Sequence, residues 1–358
     1  MIRADIMPAD RLRAAVEAQA LQPPGEAARA AADAIVGAGG AAVRGLIFFG
    51  SRRTAAAPDP WRAYDFFVAT RGYVRFYEAL RAAGQAHRPP WVLCALNRCL
   101  PPNQVHLRWR DPAAGEGLAK CAVIELERLV RETTAERHDH FCIGRLFQPA
   151  SLAYAADEEA RESLLNALTR ARRLTYTWIR PWLPERFDVE DYCRTLLEVS
   201  MRHEIRPEPL ARVQALWEAQ RAEQLAVFPL LLGELVDKGE LAVDHGRFAL
   251  RRPAARPEQW RSRVYFARSL ARATLRWPKY VVSVRGWLDY LLRKVERRTG
   301  RASSPARNSA SCPCCCSGRS STGSGARGTA HPATDDRSNR RRTGPPWLGP
   351  TSSGRPGR

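Results

Sequence analysis

The chain has 358 residues, 45% of them hydrophobic, and a formal net charge of +20. That apolar content is ample for sizeable cores, and it excludes both a wholly disordered chain and a small disulfide-stapled scaffold. The charge is uneven. Residues 251–300 hold fourteen basic and three acidic side chains, and residues 301–358 hold ten arginines and two aspartates, so the first 250 are close to neutral and the basic end has the character of a polyanion-contacting surface.

No apolar run reaches the roughly 18 residues that a membrane-spanning helix needs. The longest, Leu225 to Val236, is interrupted by Pro229 and Glu234. Arg3, Asp5 and Asp10, with no apolar stretch around them, predict no secretory leader. Cys94, Cys99, Cys121, Cys142 and Cys193 fall in apolar stretches and read as small core residues. Cys312, Cys314, Cys315 and Cys316 crowd together without zinc-ligand spacing and predict no metal site.

In chain order, residues 8–38 read as two Ala-rich helices broken by Pro23, Pro24 and Gly25. Val43 to Phe49 is a short apolar run leading into Gly50-Ser51 and predicts a buried strand. Tyr64 to Ala69 is a second strand. Residues 71–84 and 90–99 read as helices, and Gln104 to Trp109 and Leu118 to Leu126 as two further strands. This interleaving predicts an α+β fold with a mixed-sheet domain over 43–156, preceded by N-terminal helices over 1–42.

Helices are predicted over 157–182, 188–203, 209–223 and 228–236. Two short strands then flank His245-Gly246 within Leu241 to Leu250. Helices followed by a hairpin are the layout of a winged-helix module, here over 157–255, and its apolar Phe228 to Val236 helix favours a packing role over DNA reading. Residues 256–300 predict basic amphipathic helices over 257–276 and 284–298. Residues 301–358 are Ser, Gly, Pro, Arg and Thr with few apolar side chains, a composition of disorder. The run Cys312-Pro-Cys-Cys-Cys is what a Leu-Pro-Leu-Leu-Leu coding stretch gives out of frame. We therefore expect a frameshift near residue 301, which resequencing of the locus would check.

The chemistry-bearing pattern lies in the first half. Gly50-Ser51 ends one strand, and Asp65 lies within the next. Gly lets the backbone approach a triphosphate closely. A Ser hydroxyl and exposed N–H groups can hold the departing phosphates. An Asp on the neighbouring strand can hold Mg²⁺. These are the parts of a nucleotidyltransferase site. Such sites usually carry two carboxylates two residues apart on one strand face, but the second position here is Phe67. Asp59 and Glu125 are candidate donors in its place. His138, Asp139 and His140 read as a solvated turn, since residues two apart do not share a helix face.

Four segments in order carry a resemblance. They are Gly50-Ser51, Tyr64-Asp65-Phe66-Phe67-Val68, Leu118-Ala-Lys120-Cys-Ala-Val-Ile124 and Phe141-Cys-Ile-Gly144-Arg145-Leu146-Phe-Gln-Pro149. Together they resemble the mitochondrial-type phosphatidate cytidylyltransferases, the translocator assembly and maintenance family, over about residues 43–155. The resemblance implies a nucleotidyltransferase domain followed by a winged-helix domain. It implies CTP and phosphatidate as substrates, CDP-diacylglycerol and pyrophosphate as products, and Mg²⁺ as cofactor. It assigns Asp65, Lys120 and Arg145 to catalysis, Asp65 to the metal, and Gly50, Ser51, Arg52 and Lys120 to the nucleotide. Arg52 stands where the family has a second Gly, with Arg53 beside it, and Gln148 where it has a Lys.

Phosphatidate stays in a bilayer, so this reading implies a cytoplasmic protein held peripherally at the inner face of an anionic membrane. Residues 251–300, with Trp260, Trp277, Tyr280, Trp287 and Tyr290 among the basic residues, are the expected docking surface. Nucleic acid is not among the partners it implies. Two other readings stay open: a nucleotidyltransferase acting on a small molecule, protein or RNA, and a non-enzymatic winged-helix protein binding nucleic acid through its basic third.

Overall fold

The computed structural model describes residues 10–54, 63–111, 115–205 and 208–283, all within one compact unit, 1–303. The predicted helix over 284–298 and the frameshifted stretch expected over 301–358 lie outside the described residues, as does Asp59.

The chain enters through α1 (Arg11–Ala20) and α2 (Glu26–Gly39), separated at Pro23-Pro24-Gly25. Asp10 caps α1 by accepting from the Arg13 amide at 2.8 Å, which satisfies one of the orphan N–H groups of the first turn. Then come β1 (Val43–Phe49), the one-turn α3 (Ser51–Thr54), β2 (Tyr64–Thr70), α4 (Tyr73–Ala82) and α5 (Pro90–Cys99). They are followed by β3 (Asn103–Asp111), β4 (Gly115–Glu125), α6 (Leu126–Glu132), α7 (Ile143–Leu146) and β5 (Ser151–Ala155).

These five strands form one sheet in the order β3-β4-β2-β1-β5. Only β2 and β4 pair in parallel; the other neighbours are antiparallel. The period-two alternation of the strands sends side chains to two different cores. Phe48, Phe66, Cys121 and Val123 pack with α2, α4 and α5. Ile47, Phe67, Ala122 and Ile124 pack on the other face, in a core that continues into the C-terminal helices. Each large side chain buried this way contributes about 1.5–3 kcal/mol. Asp65 and Lys120 share the parity of Phe67 and Ala122, so the alternation puts them on the second face.

The rest is α8 (Glu158–Arg173), α9 (Thr175–Ile179), β6 (Arg186–Phe187), α10 (Val189–Arg202), α11 (Leu210–Asp237), β7 (Leu241–Asp244), β8 (Arg247–Leu250) and α12 (Arg256–Ser283). A second sheet has the order β6-β8-β7. Its β7–β8 turn holds His245 at φ 47° and Gly246 at φ 76°, the positive values that a tight two-residue hairpin demands. The mixed α+β class is therefore as expected.

Several elements depart from the sequence reading. The expected helix over 157–182 is α8, α9 and a 3₁₀ turn at Arg180–Trp182. The helices expected over 209–223 and 228–236 are one, α11, which runs through Pro229. A helix-interior proline costs about 3 kcal/mol, but its neighbours Val227, Phe228, Leu231 and Leu232 are fully buried and outweigh that cost. Likewise α12 does not stop at 276 but continues through Pro278. Among the described residues, no helix is long and apolar enough to cross a membrane.

Candidate active site

The site starts at the end of β1. Gly50 has φ +86°, and a Cβ there would lie 3.1 Å from Asp65 Oδ2. Glycine is thus required twice over, for the left-handed turn and for the close approach of the carboxylate. In the sheet register Phe49 opposes Asp65, Asp65 opposes Lys120, and Lys120 opposes His106. This row crosses β1, β2, β4 and β3. Lys120 Nζ lies 3.8 Å from Asp65 Oδ1. β4 is flanked by β2 and β3, so Lys120 stands on an interior strand of the sheet.

Above the row is a cavity of about 320 Å³, lined by Asp65, Lys120 and Arg145 together with His106 and residues of α12. A volume near 300 Å³ suits a small-ligand site. Three residues far apart in sequence, all singled out for catalysis, therefore face one space. Arg145 comes from α7. It donates to the Phe141 carbonyl at 2.9 Å, pairs with Glu204 at 3.3 Å, and its guanidinium lies 4.0 Å from the Phe141 ring centroid. Gly144, beside it, lets His140 approach: a Cβ there would meet His140 Cδ2 at 2.8 Å.

Gly50, Ser51 and Arg52 are not among the residues lining this cavity. Ser51 opens α3. Arg52 lies over the Tyr64 ring at 4.3 Å and lines a separate cavity of about 400 Å³. Arg53 is committed elsewhere, donating to both Glu223 oxygens at 2.9 and 2.7 Å and to Ser151 Oγ at 2.9 Å. Glu125 opposes Thr70 at the far end of β2. At ~3.3 Å per residue it stands roughly 17 Å along the strand from Lys120, so it is not a ligand partner for Asp65.

The His138–His140 segment is not a solvated turn. Asp139 and His140 are buried. Asp139 accepts from Arg272 at 2.9 Å and from Arg276 at 2.5 Å, and His140 hydrogen-bonds Ser200 Oγ at 3.0 Å. The Asp139 contacts dock α12 against the site, and the His140 bond ties the segment to α10. Burial would raise the Asp139 carboxyl, but Arg276 and Arg272 outweigh it and hold the group below its ordinary value. Burial pushes His140 down to about 3, with Arg137 and Arg145 adding to the shift. His106 falls to about 4 through burial, then Lys120 and Arg108. Both imidazoles are neutral near physiological pH.

The sequence reading did not select His106, Glu204 or Arg276, and it placed Trp277 and Tyr280 on the membrane-docking surface; all five line the cavity. The basic charge of α12 is partly turned inward: Arg276 and Lys279 are buried, whereas Trp260 is exposed. Trp287 and Tyr290 lie outside the described residues. Of the five scattered cysteines, Cys99 is exposed and the other four are buried.

Among the described residues no group of three His, Cys, Asp or Glu side chains is placed to hold a metal by itself. The donor set instead fits a hard cation bound through one protein carboxylate, Asp65, plus oxygens of a phosphate ligand, which is the usual manner of Mg²⁺. No family model matches the chain, and no curated protein matches it.

Proposed function

We propose that the chain is a nucleotidyltransferase that joins CTP and phosphatidate to give CDP-diacylglycerol and pyrophosphate, working peripherally at the inner face of an anionic membrane. The observation that carries this reading is the Asp65–Lys120 pair, in register on adjacent strands beside Gly50, in the same cavity as Arg145. Strand order also supports it. The strand that leads into Gly50-Ser51 lies antiparallel to the Asp65 strand, whose other neighbour is the parallel Lys120 strand, so the three segments that carry the resemblance are adjacent in one sheet. The order β6-β8-β7, with α10 and α11 between β6 and β7, supports the winged-helix part of this reading.

Asp65 would hold Mg²⁺ together with triphosphate oxygens, and the ion would supply neutralisation of charge on the leaving phosphates. The acceptor is a phosphate monoester, whose second pKa is about 6. It arrives ionised, so no side chain has to remove a proton. Its oxygen attacks the α-phosphorus, the bond to the oxygen bridging the β-phosphorus breaks, and the electron pair leaves with pyrophosphate. Lys120, oriented by Asp65, places a compact positive charge on the cavity floor. Arg145 offers a planar fork for a phosphate. Catalysis is then positioning and charge neutralisation.

A non-enzymatic nucleic-acid role is less well supported, because Arg272, Arg276 and Lys279 are spent on Asp139 and on the carbonyls of Pro101 and Leu100. The test is pyrophosphate release from CTP with phosphatidate in mixed micelles, run beside ATP, GTP and UTP. Release that requires CTP, Mg²⁺ and phosphatidate is expected. Release with a different acceptor only would move the protein to another branch of nucleotidyl transfer.

A further inference from the structure

We propose that Arg276 and Arg145, both seated against the Phe141 ring, form the subsite that takes the phosphate-monoester headgroup of the acceptor. The acceptor's role rests on the cytidylyl-transfer reading; the anion site itself does not. The Arg276 guanidinium lies 5.2 Å from the Phe141 centroid and that of Arg145 4.0 Å. Both residues line the cavity above Asp65 and Lys120.

Arg276 is only 6% exposed. Its Nε and Nη2 donate to the Pro101 carbonyl at 3.0 and 2.6 Å, and Nη2 also reaches Asp139. Its Nη1 is buried with no hydrogen-bond partner among the described residues. A buried guanidinium N–H without an acceptor is costly, and such a group calls for an explanation. A bound anion supplies one.

The formal charges around the cavity are close to balanced, and the guanidiniums supply its directional donors. Asp139 is shared by two guanidiniums, Arg272 and Arg276, so this buried cluster keeps one excess positive charge. Lys120 and Arg145 add two more at the cavity. Against them stand Asp65, Glu204 and Glu208, of which Glu204 is already paired with Arg145. The planar forks of the two guanidiniums fit the oxygens of a phosphate.

Position separates the acceptor from the leaving group. In-line transfer needs the attacking and leaving oxygens on opposite sides of phosphorus. Gly50 and Ser51, assigned to the departing phosphates, are outside this cavity's lining, whereas Arg145 and Arg276 are within it. The next residues of α12 facing the cavity, Trp277 and Tyr280, offer apolar surface beside the headgroup site.

The test is calorimetric binding of dihexanoyl phosphatidate, inorganic phosphate and pyrophosphate to the full chain, in wild type, Arg276→Gln and Ala273→Glu. Ala273 lines the cavity one turn before Arg276. A carboxylate there opposes an anion while leaving every Arg276 contact in place, so it decides the matter if Arg276→Gln fails to fold. Both variants should weaken dihexanoyl phosphatidate and inorganic phosphate together, by about ten- to hundredfold, and leave CTP affinity unchanged. Unchanged phosphatidate affinity in Ala273→Glu, loss confined to pyrophosphate, or no wild-type binding would each overturn the assignment. Arg276-dependent phosphate binding without any turnover would uphold the subsite and overturn cytidylyl transfer.

Discussion

Lys120 faces Asp65 across the parallel register of β2 and β4, with its ammonium 3.8 Å from the carboxylate. Both side chains are partly exposed to the cavity, at 22% and 28%. A partly exposed pair of this kind contributes about 0–1 kcal/mol to stability, so its presence needs a reason other than folding. Asp65→Asn should keep the thermal midpoint and abolish turnover, because the amide preserves volume and loses the charge that binds the cation. Lys120→Met should lower turnover by at least tenfold, the equivalent of one charge-assisted contact of ~1.5–3 kcal/mol. Steady-state kinetics beside a melting curve for each variant would check both. Substantial activity in Asp65→Asn would move the metal elsewhere.

Glu204 pairs with Arg145, the guanidinium that the proposed function gives to a phosphate. Their contact is 3.3 Å, while the Phe141 carbonyl and ring hold the same guanidinium independently. Removing the carboxylate therefore frees a cation that stays in place. Glu204→Gln should lower the KM for phosphatidate several-fold and leave the KM for CTP alone. A raised KM for phosphatidate would mean that Glu204 orients Arg145 rather than restraining it.

Asp139 is the electrostatic anchor of α12. It is 2% exposed and bound to Arg272 and Arg276. Removing one partner of a buried ionic cluster costs about 3–5 kcal/mol, mostly from the charge left behind. Asp139→Asn should lower the urea midpoint accordingly, far more than Asp65→Asn does. Equal, small effects would show that α12 is held by its apolar contacts alone.

His140 and His106 make stability depend on pH. Their folded values are about 3 and about 4, against an ordinary value of 6.5. The unfolded chain therefore binds protons that the fold excludes. Their stabilisation is complete above pH 6.5 and is lost as pH falls toward the folded values, at about 1.4 kcal/mol per pH unit for each imidazole. Urea unfolding at about pH 7 and about pH 5 should show this drop. A flat profile would mean that both rings accept protons in the fold.

The mixed sheet was legible in the sequence where strands are apolar and end on glycine. Val43–Phe49 was readable to the residue, since a buried strand shows as an unbroken apolar run. β5 (Ser151–Ala155) was not, because a half-buried edge strand of five residues after Pro149 has no strong alternation. β6 has two residues and no pattern at all. At the site, Asp65, Lys120 and Arg145 could be picked out, but only strand register and packing place them together. His106 looks like any strand histidine until β3 is set against β4. Arg276 reads as one more charge on a basic helix, since its partner Asp139 lies 137 residues earlier. Basic periodicity alone does not say which arginines face inward.

The most direct measurement uses CTP radiolabelled at its α-phosphate, incubated with phosphatidate vesicles and Mg²⁺ and then extracted into organic solvent. The expected result is label in a lipid product with wild type, and none with Asp65→Asn or without phosphatidate. Label remaining wholly in the aqueous phase, with a folded and phosphatidate-binding protein, would contradict cytidylyl transfer to a lipid.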